Sequence, residues 1–154
     1  MGKIVWLEAY RVRRLEKMRH EALLGFPWGK LSKMINEVLE PSTRTLAFPK
    51  RYAVDEAIYR LAFEAYVSGI DYSRRGEMEC PPSRPEGERR RWCDRVYRES
   101  GDDLINRVIQ DLDLFRHLDE WTIQSVFYFM EEVASRWFIQ GVDYGIRLRQ
   151  QGSL

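Results

Sequence analysis

The chain has 154 residues, of which 44% are hydrophobic and 32% are charged, and its formal net charge is +1. This composition is typical of one globular domain that buries a core without disulfides, and it excludes a disordered chain or a general polycation that binds nucleic acid. The charge is uneven, because residues 1–98 hold 20 Lys and Arg against 14 Asp and Glu, whereas residues 99–154 hold 5 against 10. Such asymmetry favours docking either between the two halves of the chain or, head to tail, between two copies of it.

The sequence shows no pattern for export at its start and no apolar run long enough for membrane insertion. Residues 1–6 lack the hydrophobic run of a signal peptide, and apolar runs elsewhere extend over only a few residues. Two cysteines, Cys80 and Cys93, are too few for a disulfide framework in a domain of this size. By elimination, we expect a cytoplasmic protein that does not enter a membrane.

The first half of the chain shows helical periodicity. Apolar residues recur at three- and four-residue steps, which predicts helices over residues 3–24, about 31–39 and about 52–74. The segment 76–87 contains three prolines and two glycines and is predicted to be a loop, the best candidate in the chain for a mobile segment.

The second half continues in the same way. A helix is predicted to begin near Pro85, and at residues 100–103 it either stops and restarts from a new N-cap or continues with a kink. Asp119 is predicted to cap the last helix, at about 120–150. No segment alternates with a period of two, so we predict an all-α fold, a single domain of residues 1–154 arranged as a bundle of five to six helices.

Two of the predicted helices share a Gly-[Ile/Val]-Asp-Tyr signature. Residues 61–72 align with residues 133–144 at an offset of 72, and the alignment continues to Arg75 and Arg147. The matched residues of the signature are Gly69, Ile70, Asp71 and Tyr72 with Gly141, Val142, Asp143 and Tyr144. This internal repeat predicts that the helices at 52–74 and 120–150 are related elements at the centre of the bundle.

The structural interpretation of the signature is a packing device. A glycine inside a helix costs about 1 kcal/mol relative to alanine, and a close helix crossing offsets that cost. Gly69 and Gly141 are therefore predicted to lie at such a crossing. Acid-then-base spacing of four residues predicts two ion pairs on the helix surface, Asp71 with Arg75 and Asp143 with Arg147.

The functional interpretation is an acidic pocket between the two helices, for a small ligand or a metal-dependent reaction. Its candidate lining residues are Glu64, Asp71, Tyr72, Asp143 and Tyr144. Carboxylates on facing helices hold two metal ions in some bundles, but the Glu-x-x-His pattern that accompanies them is missing. The sequence therefore predicts no metal ion, no cofactor and no catalytic residue.

Histidine and cysteine add little chemistry. His20 and His117 have no second ligand at a suitable spacing, so a zinc site is not predicted. Cys80, beside the Pro-rich segment, is either an exposed thiol activated by neighbouring arginines or an ordinary reduced cysteine.

The strongest basic run surrounds Trp92. It consists of Arg89, Arg90, Arg91, Arg95 and Arg98. Arginine and tryptophan together bind single-stranded nucleic acid in many proteins, so a nucleic-acid surface is one alternative. Acidic residues at positions 86, 88, 94 and 99 favour a solvated, salt-bridged helix face instead.

Two segments resemble a known family. Residues 64–77, beginning Glu64-Ala65-Tyr66, are similar to the central segment of the YbaK-like family of uncharacterised proteins from Bacillus-type spore formers. Residues 125–147 resemble the closing helix of that family, and the likeness extends over about 50–78 and 120–149. The resemblance implies a cytoplasmic helical protein without an established activity, and it carries over no catalytic residue.

The leading hypothesis is a non-catalytic helical interaction or regulatory protein that forms a homodimer or binds another protein. It rests on an aromatic content of 13% with five tryptophans, on the uneven charge, and on the lack of a complete catalytic motif. The acidic-pocket enzyme or binder and the nucleic-acid binder through residues 89–98 remain the alternatives.

Overall fold

A computed structural model describes the backbone of residues 2–154 and the side chains of residues 6–116 and 118–154. Met1 and the His117 side chain thus lie outside the described part. All regular secondary structure in residues 2–154 is helical. The elements are α1 (Gly2–Gly25), α2 (Trp28–Met34), a π-helical turn (Ile35–Leu39), α3 (Glu40–Thr43), α4 (Phe48–Asp71), α5 (Ser73–Glu79), α6 (Glu86–Ser100), α7 (Leu104–Asp111), a 3-10 turn (Leu114–His117) and α8 (Glu120–Gln150).

The predicted all-α class is confirmed, whereas the predicted number of helices is slightly low. Segment α2, the π-helical turn and α3 follow one another without a break, so the described residues form seven helical rods rather than five or six. Helix α4 begins four residues before the predicted start. Pro49 lies in its first turn, where a missing backbone N–H costs nothing.

The Pro/Gly-rich loop is shorter than the predicted 76–87. Helix α5 extends through Gly76 to Glu79, so only residues 80–85 lack a helical assignment. A glycine is needed at position 76 because the neighbouring side chains leave no room for a Cβ, and the helix continues through it. A Cβ added there would lie 2.6 Å from Cγ1 of Val142 and 3.1 Å from the ring of Trp92.

Two helix starts in the second half are decided by aspartate caps. Gly101 adopts a left-handed conformation with φ 66° and ends α6, and Asp103 then accepts a hydrogen bond from the backbone N–H of Asn106 at 3.2 Å. The chain therefore restarts a helix rather than continuing with a kink. Asp119 caps α8 as predicted, accepting from the backbone N–H of Thr122 at 2.8 Å.

Helices α4 and α8 form the centre of the bundle and pack backbone against backbone. A Cβ added to Gly69 would overlap the carbonyl oxygen of Phe138, and one added to Gly141 would lie 2.9 Å from the carbonyl carbon of Tyr66. The missing side chains are what allow this approach. Each glycine thus contacts the residue three positions before the other one.

The contacts along the crossing show that α4 and α8 run in the same direction. Tyr66 lies against Gly141, and Ile70, one turn later, lies within 3.1 Å of a Cβ added to Gly145. Since the contact positions advance together along both helices, the pair is parallel.

The ring contacts at the crossing are reciprocal as well. The ring of Tyr66 stacks on that of Tyr144 with centroids 5.7 Å apart, and the ring of Phe138 packs against that of Tyr72 at 5.8 Å. Tyr66 and Tyr72 are the counterparts of Phe138 and Tyr144 at the offset of 72. Each helix therefore presents its earlier ring to the later ring of its neighbour.

The outer helices surround this pair. Helix α1 packs against α4 and α6 against α8, whereas α7 contacts α4 and α3 contacts α8. The core is continuous around the crossing, and its largest fully buried side chains include Trp137, Tyr66 and Phe138. Among the helices of residues 2–154, none combines the length and apolar character needed to cross a lipid bilayer.

Candidate functional site

Glu64, one of the predicted pocket residues, holds α1 against α4. Arg19 donates two hydrogen bonds to its carboxylate, Nη1 to Oε2 at 3.1 Å and Nη2 to Oε1 at 2.8 Å. The Arg19 guanidinium also lies 5.3 Å from the ring centre of Phe63. The hydrogen bond to Glu64 raises the pKa of Arg19. This bidentate ion pair joins α1 to α4, and because both carboxylate oxygens of Glu64 already accept hydrogen bonds, they are not available to a ligand.

Asp143 has a similar partner from a different helix. Arg89 Nη1 donates to Asp143 Oδ2 at 2.9 Å, and Arg89 Nη2 donates to Oδ1. The Arg89 side chain is 11% exposed and that of Asp143 is 34% exposed. The hydrogen bond to Asp143 raises the pKa of Arg89. The pair joins α6 to α8.

The predicted pair of Asp143 with Arg147 is therefore wrong. The bidentate ion pair with the buried Arg89 is stronger than an exposed ion pair on one helix face, because water competes less for it. Arg147 lies instead over the ring of Tyr144, with its guanidinium carbon 5.6 Å from the ring centre.

The predicted pair of Asp71 with Arg75 is also wrong. Helix α4 ends at Asp71, and the break at Tyr72 separates it from α5, so Asp71 and Arg75 do not share a continuous helix face. Arg75 binds Glu79, and its Nη2 donates to Glu99 Oε2 at 2.6 Å. Asp71 is exposed and forms no ion pair with the described side chains.

The tyrosines of the signature fill gaps between helices. The ring of Tyr144 covers Gly25, where an added Cβ would overlap the ring. The buried Tyr66 hydroxyl donates to the carbonyl oxygen of Gly25 at 3.2 Å, and burial raises the pKa of Tyr66. Tyr72 packs on Phe138. These rings complete the core around the crossing.

The predicted pocket residues are thus not brought together. Asp71 lines a groove beside α1, whereas Asp143 lines another with Gly25 and Lys30. Within the described part of the chain, no three His, Cys, Asp or Glu side chains lie close enough to hold a metal ion.

The basic run of α6 is divided between two environments. Arg89 binds Asp143 and Arg90 binds Glu132, so two of its five arginines are neutralised by α8. Trp92 is 4% exposed and is not available to stack on a base. The other three, Arg91, Arg95 and Arg98, are exposed.

Both cysteines are buried. The hypothesis of an exposed Cys80 thiol is wrong, because Cys80 packs into the core at the end of α5 and is 4% exposed. Cys93 is fully buried on α6, and desolvation raises the pKa of its thiol to about 12. A thiol in that state is a poor nucleophile near neutral pH.

Sequence reasoning missed a surface on α1. The apolar stripe of this helix is buried at Met18 and Ala22, but Leu7 and Leu15 on the same stripe are 50% and 48% exposed. Every described side chain from residue 6 to residue 17 is exposed. The sequence shows the stripe but not where the bundle stops covering it.

A second missed feature is a groove of about 540 Å³ between α1, the α4–α5 junction and the end of α8. Five of its lining residues are cationic, namely Arg13, Arg14, Lys17, Arg74 and Arg149. These residues lie in three separate parts of the sequence, so no local motif marks them.

Comparison with models of protein families, with curated protein sequences and with solved structures finds no match to this chain. The resemblance to the YbaK-like family therefore stays a prediction, and the function must be argued from the geometry.

Proposed function

We propose that this chain is a non-catalytic helical interaction protein that forms a homodimer through α1. The observation that carries the proposal is the uncovered part of the α1 stripe. Leu7 and Leu15 continue the face that Met18 and Ala22 bury against the bundle, yet the described side chains leave them about half exposed. Contiguous exposed apolar surface on a helix is typical of an interaction site.

The spacing of the apolar stripe favours a second copy of the chain as the partner. In an antiparallel pair of α1 helices, Leu7 is level with Leu15 of the partner subunit, and a two-fold arrangement repeats this contact, which makes the interface self-complementary. Arg11 lies between the leucines and is level with Arg11 of the partner subunit, so the two aliphatic stems line the interface while the two charges turn away from each other to the rim.

The internal repeat belongs to the same proposal. The reciprocal contacts of α4 and α8 support a molecule of two related halves, each of which contributes one of these central helices. The resemblance to the YbaK-like family favours a cytoplasmic location. The nucleic-acid alternative is weaker, since Trp92 is buried and Arg89 and Arg90 bind carboxylates. The acidic-pocket alternative is weaker because Asp71 and Asp143 line different grooves.

Light scattering after size-exclusion chromatography tests the dimer. We expect wild-type protein at high micromolar concentration to have twice the chain mass of 18.4 kDa. The double variant Leu7→Ser/Leu15→Ser should be monomeric. Neither side chain is part of the core, so its melting temperature should match that of wild-type protein diluted until it is monomeric, because only the stabilisation from dimer formation is lost.

The matched control replaces two other exposed apolar residues, in Leu24→Ser/Val38→Ser, and should remain dimeric. A monomeric wild-type protein, or equal loss of the dimer in both double variants, would contradict the proposal.

A further inference from the structure

The cationic groove introduced above has the size of a small-molecule site. Its volume of about 540 Å³ falls within the roughly 300–1,000 Å³ that is usual for ligand pockets. Tyr10 lines it with a ring that is 55% exposed, and Ile70 contributes apolar wall. A ligand in the groove would therefore meet positive charge and an aromatic face together.

The charges in the groove are not balanced by protein carboxylates. Arg13, Arg14, Lys17 and Arg74 form no ion pair with the described side chains, and all four are exposed. Arg149 Nη2 donates to Glu77 Oε2 at 3.2 Å, and Asp71 is the acidic side chain among the lining residues. Among the side chains that line the groove, five are cationic and one is acidic, and Leu154 at the end of the sequence also lines it. The side chains therefore leave an excess of positive charge in a confined space.

Arg149 adds a further sign of an incomplete site. Its Nε is buried and has no hydrogen-bond partner among the described atoms. Buried N–H groups in native proteins are nearly always paired, so a donor left free beside a groove is a position where a bound anion or an ordered water belongs.

At the equivalent position next to α8, the aspartate is neutralised by an arginine from the neighbouring helix. Asp143 is the counterpart of Asp71 at the offset of 72, and there Arg89 from the flanking helix binds the carboxylate with both nitrogens. Beside Asp71 the flanking helix is α1, and its cations lie around the groove without binding the carboxylate. The cations of α1 are therefore free to bind a ligand in the groove, whereas Arg89 of α6 is neutralised by Asp143.

We infer that this groove binds a phosphate group, as a phosphate ester or polyphosphate. Guanidinium groups match phosphate oxygens with paired hydrogen bonds, and four of the five cations are arginines. Phosphate has more oxygen acceptors and more charge than a carboxylate, which suits several converging donors. The inference goes beyond self-association and does not depend on it.

Calorimetric titration of the untagged protein with pyrophosphate is the first measurement. A second arm measures co-sedimentation with phosphatidylcholine vesicles that contain phosphatidic acid, and with vesicles of phosphatidylcholine alone. We expect binding to pyrophosphate, to vesicles with phosphatidic acid, or to both, and none to phosphatidylcholine alone, whose phosphodiester is neutralised by its choline group. The two arms separate a free phosphate compound from a lipid headgroup.

The double variant Arg14→Gln/Lys17→Gln should weaken that binding at least about tenfold, since two charge-assisted contacts are lost. The control Arg91→Gln/Arg98→Gln removes the same net charge from exposed positions on α6 and should bind as the wild type does. The charge-retaining Arg14→Lys/Lys17→Arg should recover most of the affinity. All three variants should melt at the wild-type temperature.

Failure of pyrophosphate and phosphatidic acid alike to bind the wild-type protein would overturn the inference. Equal weakening by the α1 and α6 variants would overturn it too, because it would indicate nonspecific attraction. The monomeric Leu7→Ser/Leu15→Ser variant should still bind, so a failure of the dimer and a failure of the phosphate site are distinguishable.

Discussion

The two halves of the molecule share a central helix but differ in what flanks it. Helices α4 and α8 begin at positions 48 and 120, carry the same signature and contact each other reciprocally. Next to α8, Arg89 forms an ion pair with Asp143, whereas next to α4 the corresponding Asp71 lines a solvent-open cationic groove. The contacts at the crossing are thus alike in the two helices, whereas the surroundings of the two aspartates differ.

The two central helices also begin differently. Asp119 caps α8 with its side chain, and the residue at the same position before α4 is Ala47, which provides no side-chain cap. Helix α4 is nevertheless formed, with Val54, Ile58 and Leu61 fully buried. Tertiary burial therefore outweighs a missing cap in α4, as is usual for helices inside proteins.

The largest effect should come from the shared crossing. Gly69→Ala and Gly141→Ala each place a methyl group against the opposite backbone, which side-chain movement does not relieve, so we expect a loss of about 2–3 kcal/mol in the free energy of unfolding. Urea titration measures it. Gly29→Ala is the matched control, because nothing lies within 4 Å of its added Cβ, and it should leave stability equal or slightly higher. Unchanged stability in Gly69→Ala would show that the crossing is looser than described.

A smaller effect should distinguish the flanks. Arg89→Gln leaves Asp143 half-buried without its charged partner, and we expect a loss of about 1–3 kcal/mol in the free energy of unfolding. Arg14→Gln beside Asp71 should change it by less than about 0.5 kcal/mol, because this side chain is exposed and forms no ion pair. Chemical denaturation of both variants provides the comparison, and similar losses would remove the distinction between a closed and an open flank.

The caps should give the smallest effect, with a dependence on pH. Hydrogen bonds from Thr122 lower the pKa of Asp119 below its ordinary value. The cap therefore contributes stability above the unfolded pKa of about 3.9, and that contribution is lost as the pH falls through the lower folded value. Asp119→Asn keeps an acceptor without the charge, so its melting temperature should fall less than that of the wild type between pH 5 and about pH 3. A parallel fall in both proteins would contradict this assignment.

The complementary change places a cap before α4. Ala47→Asp offers an acceptor to the backbone N–H of Lys50, the position that Thr122 occupies in α8, and should raise the free energy of unfolding at neutral pH by about 0.5–1 kcal/mol. Thermal melting detects it. A loss of stability would mean that the backbone at residue 47 does not permit the capping geometry that Asp119 adopts.

Much of the fold follows from local sequence. The period of the apolar residues predicted the all-α class, and Asp119 marked the start of α8 because a cap acts on backbone groups only three residues away. The continuation of a helix through Gly76 does not follow from local sequence, because Trp92 and Val142, which fill the space beside this glycine, come from distant parts of the chain. The number of helices was underestimated for the same kind of reason, as short segments are formed by packing rather than by propensity.

The candidate sites were less predictable than the fold. The signature residues are recognisable in the sequence, but the predicted partners of Asp71 and Asp143 on their own helices are wrong. The helix breaks at Tyr72 after Asp71, and Arg89 from α6 binds Asp143. The cationic groove was not predicted at all, because Lys17, Arg74 and Arg149 converge only after the chain folds.

The sequence by itself determined that the chain is helical, where α8 begins, and that two helices carry one signature, because periodicity, caps and repeated residues act over a few positions. Only the tertiary structure decided which carboxylates are neutralised, which part of α1 is left uncovered, and where cations gather beside Asp71. Those outcomes depend on helices brought together from distant positions, where burial and competition with water set the strength of each contact. The Gly-[Ile/Val]-Asp-Tyr signature spans both levels, since its glycines are recognisable in the sequence and their contacts exist only in the folded bundle.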